Sequence, residues 1–236
     1  MKNIIITGSE GQIGRKFVEY LKKKDFHIIG IDIGKQCNKY IEYYNADITK
    51  INQIKPIIEN LNKPIDALVN NAGVAVFTPF EDRTVDEIES VIDVNLKGNI
   101  LMTKLVYETY FKPNSKGNII NIGSIYGSVS SNMDLYGDGD RRSSEIYGAT
   151  KAAIIQLTKY FSAYMSKDNI RVNCISPGGV FNDQSEFFIN NYNQRVPLGR
   201  MCMDNELTGI LEFLLSNKSS YITGQNIIVD GGYTAW

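Results

Sequence analysis

Tyr147 and Lys151 stand four residues apart at the start of a strongly apolar stretch of helical period, in the run Tyr147-Gly148-Ala149-Thr150-Lys151. This spacing places the phenol and the ammonium one turn apart on one face of a helix. A neighbouring ammonium favours phenolate, so the pair could serve as a general acid and base. The spacing alone is a weak signal, because the chain has 14 tyrosines and an ordinary amphipathic helix would show the same pair.

A glycine-rich turn, Thr7-Gly8-Ser9-Glu10-Gly11-Gln12-Ile13-Gly14, follows the first apolar run and opens the first helical stretch. Glycines let the backbone approach a ligand closely, and N–H groups at a helix N-terminus favour a pyrophosphate. A turn that binds no ligand is the alternative interpretation. The second strand ends at Asp32, where a carboxylate can accept hydrogen bonds from both adenosine ribose hydroxyls and repel a 2′-phosphate. NAD is therefore expected rather than NADP, although Lys35 nearby weakens that preference.

Elements that could position these groups alternate along the chain, short apolar runs with longer stretches of helical period. Near-continuous apolarity suits parallel strands that are covered on both sides. We therefore predict an α/β fold, a Rossmann-type doubly wound parallel seven-stranded sheet with helices on both faces, in a single domain over 1–236. The strands are expected at 3–8, 27–33, 40–48, 66–72, 117–123, 171–176 and 225–230, and the helices at 12–24, 50–62, 84–111 with a break near Gly98, 145–166 and 204–216.

Composition limits the kinds of partner. The 25 basic and 26 acidic residues nearly cancel, so the broad positive field that nucleic acid or an anionic membrane requires is not expected. No apolar run approaches the ~20 residues of a membrane span. The three cysteines match no metal-ligand spacing and are odd in number, which favours a reducing cytoplasm and predicts no metal site.

Further motifs stand in order between the glycine turn and the end of the chain. They are Asn70-Asn71-Ala72-Gly73, Val94-Asn95-Leu96, Asn121-Ile122-Gly123-Ser124, the Tyr147 and Lys151 pair, Ser176-Pro177-Gly178-Gly179, and Gly224-Gln225-Asn226-Ile227-Ile228-Val229-Asp230-Gly231-Gly232. In this order they resemble the short-chain dehydrogenase/reductase family, specifically its small single-domain branch. The resemblance covers the whole chain and implies an NAD(P)-dependent oxidoreductase that transfers a hydride to or from a hydroxyl or carbonyl carbon.

The resemblance also implies roles for individual residues. Tyr147 would be the acid and base, Ser124 would hydrogen-bond the reacting oxygen, Lys151 would hold the nicotinamide ribose, and Asn95 would position a water for proton relay. Ser124 could instead be a turn cap, and Asn95 could be a buried amide at a helix kink. The implied cofactor-binding set is Gly8, Gly11, Gln12, Ile13, Gly14, Asp32, Asp47, Ile48, Asn71, Ala72, Gly73, Tyr147, Lys151, Pro177, Gly178 and Val180.

The segment between Ser124 and Tyr147 departs from the usual family pattern, because it is longer than usual. This stretch, 125–146, is rich in Ser, Gly and Asp and is predicted to be a surface loop that shapes the substrate pocket. Ser124, Tyr126 and Tyr147 are expected to contact substrate, and Arg141 and Arg142 could bind a phosphate or carboxylate. The two arginines could equally be solvated and balance the acidic residues of the loop, Asp134, Asp138 and Asp140.

The substrate is the least determined feature. Ser124-Ile125-Tyr126-Gly127, the long loop and the run 173–181 resemble a subgroup found in bacterial surface-sugar pathways, including legionaminic-type acid and flagellin-glycan synthesis. A sugar or nucleotide-sugar derivative is therefore expected. The main alternative is a reductase of 3-ketoacyl groups on acyl carrier protein or of another ketone, and an alternative of another class is a non-catalytic NAD-binding sensor or scaffold.

The helix expected at 145–166 carries apolar side chains on more than one face, more than one sheet surface can cover. In the family it resembles, this helix and the long one before it pair across a two-fold axis. A homodimer or homotetramer is therefore expected. His27 has no evident partner in the sequence, and we assign it no catalytic role.

Overall fold

A parallel sheet of seven strands forms the centre of the molecule. The computed structural model describes residues 1–37, 41–137 and 141–236. The strands lie in the order β3-β2-β1-β4-β5-β6-β7, so the direction of winding reverses between β1 and β4. This topology confirms the predicted doubly wound sheet. The strands are β1 (Asn3–Thr7), β2 (His27–Asp32), β3 (Glu42–Asn45), β4 (Ala67–Asn70), β5 (Gly117–Ile122), β6 (Ile170–Pro177) and β7 (Asn226–Val229).

Alternate side chains of the central strands enter two separate cores. Ile5 of β1 packs on one face with Met102 and Val172, whereas Ile4 and Ile6 pack on the other. All three isoleucines are fully buried. A strand buried on both faces must be apolar at every position, which explains why the sequence shows continuous runs.

The described part of the chain contains eight helices. The predicted helices begin and end within a few residues of the expected positions, except for the C-terminal helix. There Asp204–Leu207 forms a 3₁₀ turn, so the regular helix begins only at Thr208. The helices are α1 (Gln12–Lys22), α2 (Ile51–Asn60), α3 (Val85–Ile92), α4 (Asn99–Val106), α5 (Lys112–Asn114), α6 (Glu145–Tyr164), α7 (Glu186–Arg195) and α8 (Thr208–Leu215). No helix in these described ranges is both long and apolar enough to cross a bilayer.

The long helical stretch predicted at 84–111 is interrupted twice. A capping box at Thr84 starts α3, and the turns Asp93–Gly98 and Tyr107–Phe111 are π-helical. Gly98 ends the first π-helical turn. A side chain would not fit at this position, because a Cβ there would stand 2.6 Å from the Ile48 side chain. The predicted break near Gly98 is therefore a widened turn rather than a change of direction.

Two further predictions about segments need correction. The loop 125–146 is not wholly at the surface, since Leu135 is completely buried and two short 3₁₀ turns, Ile125–Gly127 and Met133–Leu135, give it structure. Helix α7 was not predicted, because Asn-rich EFFINNYNQR has little helical periodicity. The expected strand at 40–48 is shorter, and its residue 40, like Asp138 and Asp140 of the loop, lies outside the described residues.

Candidate active site

A cleft of 480 Å³ opens at the carboxyl ends of β1 and β4, where the strand order reverses. Ligands of open α/β sheets bind at such a switch point. Most of the residues predicted to hold the cofactor line this cleft. They are Gly8, Gly11, Gln12, Ile13, Asp32, Asp47, Ile48, Asn71, Ala72 and Gly73.

The glycine turn forms the floor of the cleft. Gly8 has a φ of +64°, and a Cβ on Gly14 would stand only 2.0 Å from the Gly8 carbonyl oxygen. Gly11 caps α1 without a side chain, so the first-turn N–H groups can face an anion. The Asn71 side chain ties this turn to the end of β4 by donating to the carbonyl oxygens of Thr7 (3.0 Å) and Gly8 (2.9 Å). The turn therefore fits the pyrophosphate of a dinucleotide.

Asp32 is held rigidly at the end of β2. Its carboxylate accepts hydrogen bonds from the backbone N–H groups of Glu10 (2.9 Å) and Gly34 (2.8 Å). Two further lone pairs remain for ribose hydroxyls. Asp47 also lines the cleft, but one of its oxygens accepts from the Thr49 N–H (2.8 Å), so it serves its own turn as well.

Tyr147 and Lys151 lie on one face at the start of α6. The Ser144 hydroxyl caps this helix by accepting from the Tyr147 N–H at 3.2 Å. The Lys151 Nζ lies 5.6 Å from the centre of the Tyr147 ring and donates to the Ile122 carbonyl oxygen at 2.8 Å. Because Lys151 is only 6% exposed, its ammonium is fixed beside the phenol.

Ser124 reaches the same place from the end of β5. Its hydroxyl accepts from the Tyr126 N–H at 3.2 Å and so begins the 3₁₀ turn Ile125–Gly127. This turn packs directly on α6, since a Cβ on Gly148 would stand 3.1 Å from the Tyr126 carbonyl oxygen. The structure therefore brings the Ser124 turn against the helix segment that carries Tyr147.

Asn95 lies within the π-helical turn of the long helical stretch. Its Nδ2 donates to the Val74 carbonyl (3.0 Å) and to the Thr150 hydroxyl (3.2 Å), and its Oδ1 accepts from the Val74 N–H (2.8 Å). Both N–H donors of the Asn95 side chain are thus used by the protein, so a water bound at Asn95 would have to donate a hydrogen bond to Oδ1. Sequence reasoning missed Thr150, although it stands between Tyr147 and Lys151 and also bonds the Tyr147 carbonyl.

The segment after β6 does not line the cleft but borders a second, smaller cavity of 80 Å³. Gly178 lies in that cavity and donates to the Val229 carbonyl at 2.9 Å. Val180 forms an isolated parallel bridge with Cys202. Gln12 connects the glycine turn to this segment, because its Nε2 donates to the Phe181 carbonyl oxygen at 2.5 Å.

Side chains of the long loop have distinct surroundings. Burial raises the pKa of Tyr126 well above its usual range, and the neighbouring Tyr136 adds to this, so Tyr126 stays protonated. The exposed Arg141 guanidinium lies 3.6 Å from the centre of the Phe77 ring. Arg142 donates to the backbone carbonyls of Arg141 and Gly137, each at 2.9 Å, and so helps to hold the loop.

Helix α7 covers this loop. Leu135 and Tyr136 of the loop pack with Tyr192 of α7, whose ring stacks on Tyr233 at 5.0 Å between centroids. The Tyr192 hydroxyl accepts from the Gly179 N–H at 2.5 Å. The signal that could have identified α7 is Ser185, which caps the helix by accepting from the Phe188 N–H.

A family model described as Enoyl-(Acyl carrier protein) reductase matches residues 9–234. The structure of a short chain dehydrogenase from Leptospira borgpetersenii serovar Hardjo-bovis with bound NAD⁺ is 44% identical, with a TM-score of 0.94 over 99% of this chain and 92% of that one. The 3-oxoacyl-acyl-carrier-protein reductase FabG of Thermotoga maritima is 30% identical over 98% of this chain and 97% of its own length. The NAD-dependent glycerol dehydrogenase of Listeria innocua is 27% identical over 99% and 94%.

These similarities span nearly the entire chain, and they agree with the cleft, the glycine turn and the carboxylate at the end of β2. A sensor or scaffold that has lost turnover finds no support, because the relatives are named as oxidoreductases. The chain therefore belongs to the short-chain dehydrogenase/reductase family and is an NAD(P)-dependent oxidoreductase.

Proposed function

We propose that the enzyme interconverts a secondary hydroxyl and a carbonyl on a sugar or nucleotide-sugar derivative used in bacterial surface-glycan synthesis. The observation that carries this proposal is the polar character of the loop between Ser124 and Tyr147. The loop carries Tyr126, two residues after Ser124, and the exposed Arg141, and both side chains can donate hydrogen bonds. A polyhydroxylated, anionic substrate suits such donors. We propose that the whole chain, 1–236, works as one unit with 125–146 as its substrate loop.

The chemistry assigned to the chain's own residues is proton transfer. Bound NAD supplies or accepts the hydride at the substrate carbon. In the reductive direction, Tyr147 gives its phenolic proton to the carbonyl oxygen, while the Ser124 hydroxyl donates a hydrogen bond to the same oxygen. The fixed Lys151 ammonium stabilises the phenolate that remains and can donate to the nicotinamide ribose. Asn95 positions Val74 and Thr150, and its Oδ1 can accept from a relay water.

A second candidate is the reduction of a 3-oxoacyl group on acyl carrier protein. It is favoured by the 30% identity to FabG of Thermotoga maritima, which extends over 98% of this chain. The glycerol dehydrogenase of Listeria innocua, at 27% identity, instead favours a polyol-like substrate. The two candidates differ in whether the substrate is hydrophilic and anionic or carries a flexible thioester arm.

An NADH-linked absorbance assay over both classes of substrate distinguishes the candidates. The panel contains keto-sugars, nucleotide keto-sugars and an acetoacetyl thioester, with Tyr147→Phe protein as the blank. We expect kcat/KM for one sugar derivative to exceed that for the thioester by at least ~100-fold, the discrimination that a site built from hydrogen-bond donors provides. A preference for the thioester would instead assign the reductase function.

The two loop arginines give a sharper test of the anionic substrate. We expect Arg141→Ala to raise KM about tenfold with little change in kcat, because the exposed guanidinium would contribute binding only. Arg142→Ala should lower loop stability, because its guanidinium donates to two backbone carbonyls. An unchanged KM in Arg141→Ala protein would show that this arginine is merely solvated.

We further infer that the enzyme works in the cytoplasm as a homodimer or homotetramer, without nucleic acid or membrane partners. The three cysteines are free, which suits a reducing compartment. On α6, Tyr160 and Tyr164 are more than half exposed, and their rings stack on each other at 5.8 Å. Such paired aromatics on an open helix face suit an isologous contact between two copies.

A further inference from the structure

Glu10, within the glycine turn, is a buried carboxylate that the glycine motif does not require. Its side chain is only 3% exposed, although acidic residues are almost never fully buried unless they are paired. Oε2 accepts from the Cys37 N–H at 3.0 Å, whereas Oε1 is buried without a hydrogen bond from any residue that the structure describes. Such an arrangement costs free energy, so a compensating role is expected.

Glu10 stands directly beside the adenosine end of the cofactor cleft. Its backbone N–H donates to the Asp32 carboxylate at 2.9 Å, and both residues line the cleft. Asp32 is the group that meets the ribose hydroxyls. Two carboxylates are therefore adjacent where a dinucleotide carries either a 2′-hydroxyl or a 2′-phosphate.

Two cations line the same end of the cleft, Arg15 and Lys35. The Arg15 side chain is half exposed, and its Nε lies 3.7 Å from Glu10 Oε2. A guanidinium at this place would bind a phosphate well if nothing opposed it, since its donors match phosphate oxygens in pairs. Glu10 is the carboxylate that holds Arg15 and offsets its charge.

We propose that Glu10 is a specificity-determining residue of the cofactor site, which excludes a 2′-phosphate by neutralising Arg15 and by adding a second negative charge beside Asp32. Without Glu10, the lining at this end of the cleft would carry Asp32 against two cations, Arg15 and Lys35, which is an excess of positive charge. With Glu10 the four charges balance, and the ribose that binds best is the unphosphorylated one. This inference concerns the cofactor and does not depend on the identity of the substrate.

The test measures binding rather than turnover, by fluorescence titration of the purified protein with NADH and with NADPH. Glu10→Gln keeps an oxygen acceptor for the Cys37 N–H and removes only the charge. We expect it to tighten NADPH binding by about tenfold or more and to leave the Kd for NADH within about threefold, with the gain shrinking as salt is raised. An unchanged ratio of the two Kd values would overturn the proposal.

Two more variants separate charge from structure. Glu10→Asp keeps the charge but shortens the reach to Cys37, so it should retain the preference for NADH. Adding Arg15→Met to Glu10→Gln should abolish the gain in NADPH binding, because the released guanidinium is its source. Two results would count against the proposed role. One is a gain in NADPH affinity that persists when Arg15→Met is added to Glu10→Gln, and the other is an equal gain in Glu10→Asp.

The matched control is Glu19→Gln, an exposed carboxylate that pairs with Lys16 on the same helix. It should not change either Kd. Far-UV circular dichroism checks that each variant is folded. If the Gln variant fails to fold, Glu10→Thr serves as the second uncharged variant, and the same change in the NADPH to NADH ratio is expected of it.

Discussion

At the scale of single residues, the proposed catalytic groups are held by contacts to backbone rather than by contacts to one another. Lys151 is fixed by the Ile122 carbonyl, and Asn95 by both backbone groups of Val74. The Tyr147 hydroxyl is the group on α6 that can exchange a proton with substrate. Its removal should therefore affect chemistry without disturbing the framework around it.

We predict that Tyr147→Phe lowers kcat by about 10³-fold, the usual contribution of a general acid or base. Its Kd for NADH should stay within about twofold, because the glycine turn and Asp32 are untouched. Steady-state kinetics and fluorescence titration measure the two quantities. Tyr221→Phe, at a fully exposed tyrosine outside the site, is the control and should retain full activity.

At the scale of elements, the decisive contact is between the 3₁₀ turn after Ser124 and helix α6. A Cβ on Gly127 would stand 2.7 Å from both the carbonyl carbon and the carbonyl oxygen of Lys151. The turn can approach the helix backbone only because residue 127 has no side chain. This close approach sets the distance between the turn that follows Ser124 and the helix α6 that carries Lys151.

Gly127→Ala should therefore separate these two elements. We expect a loss of about 1 to 3 kcal/mol in the free energy of unfolding, the usual cost of overpacking, and a fall in kcat larger than the change in NADH affinity. Gly209→Ala is the control, because among the described residues no atom beyond its chain neighbours and the backbone of α8 itself lies within 4 Å of its Cβ position. The control should be neutral or stabilise the protein by up to ~1 kcal/mol. Urea unfolding measures the free energy of unfolding of each variant, and equal values for Gly127→Ala and Gly209→Ala would contradict the prediction.

At the scale of the whole molecule, a cluster of charges joins one edge of the sheet to the loop before β4. His27 and Lys63 both bond the Glu42 carboxylate, with His27 Nε2 at 3.1 Å from Oε2. Partial burial opposes ionisation of Glu42, but hydrogen bonds from Lys63, Tyr44 and His27 together lower its pKa from 4.5 to about 2. His27, which had no evident partner in the sequence, is a structural residue here.

This lowered pKa fixes the sign of a pH effect. A carboxyl group that ionises more readily in the folded state stabilises the protein above pH 4.5, and the stabilisation is lost as pH falls toward 2. Because the Glu42 side chain is still 25% exposed and solvent screens its ion pair, we expect Glu42→Gln to cost only about 1 kcal/mol at neutral pH. Urea unfolding measures the difference in the free energy of unfolding between Glu42→Gln and wild type, and this difference should narrow progressively below pH 4.5. A difference that does not depend on pH would contradict the assignment.

Self-association also belongs to this scale. We predict that Tyr160→Glu breaks or weakens the oligomer, because it places a charge in the centre of an aromatic contact. Sedimentation velocity at micromolar concentration measures the change, with Ile51→Glu on the exposed start of α2 as the control. A wild-type protein that sediments as a monomer would remove the prediction.

The sheet, the glycine turn and the position of Tyr147 and Lys151 on one helix face could be predicted because their signals are local. A buried strand such as β1 must be apolar throughout, and the spacing of Tyr147 and Lys151 follows from one helical turn. The packing of α7 on the loop and the buried position of Leu135 could not be predicted. Both depend on the cluster that Leu135 and Tyr192 form across more than fifty residues of chain, and no short-range pattern encodes such a contact.

The sequence alone determined the fold class, since periodicity acts within single elements, and the resemblance of its ordered motifs to a known family predicted the groups that are proposed to exchange the proton. Only the tertiary structure decided how those groups are held. Lys151 finds the Ile122 carbonyl, and Glu10 finds both Arg15 and the backbone of Cys37, through close approaches that depend on how strands and helices pack. Burial and hydrogen bonding between remote segments are collective properties of the packed chain, and they give these residues their surroundings.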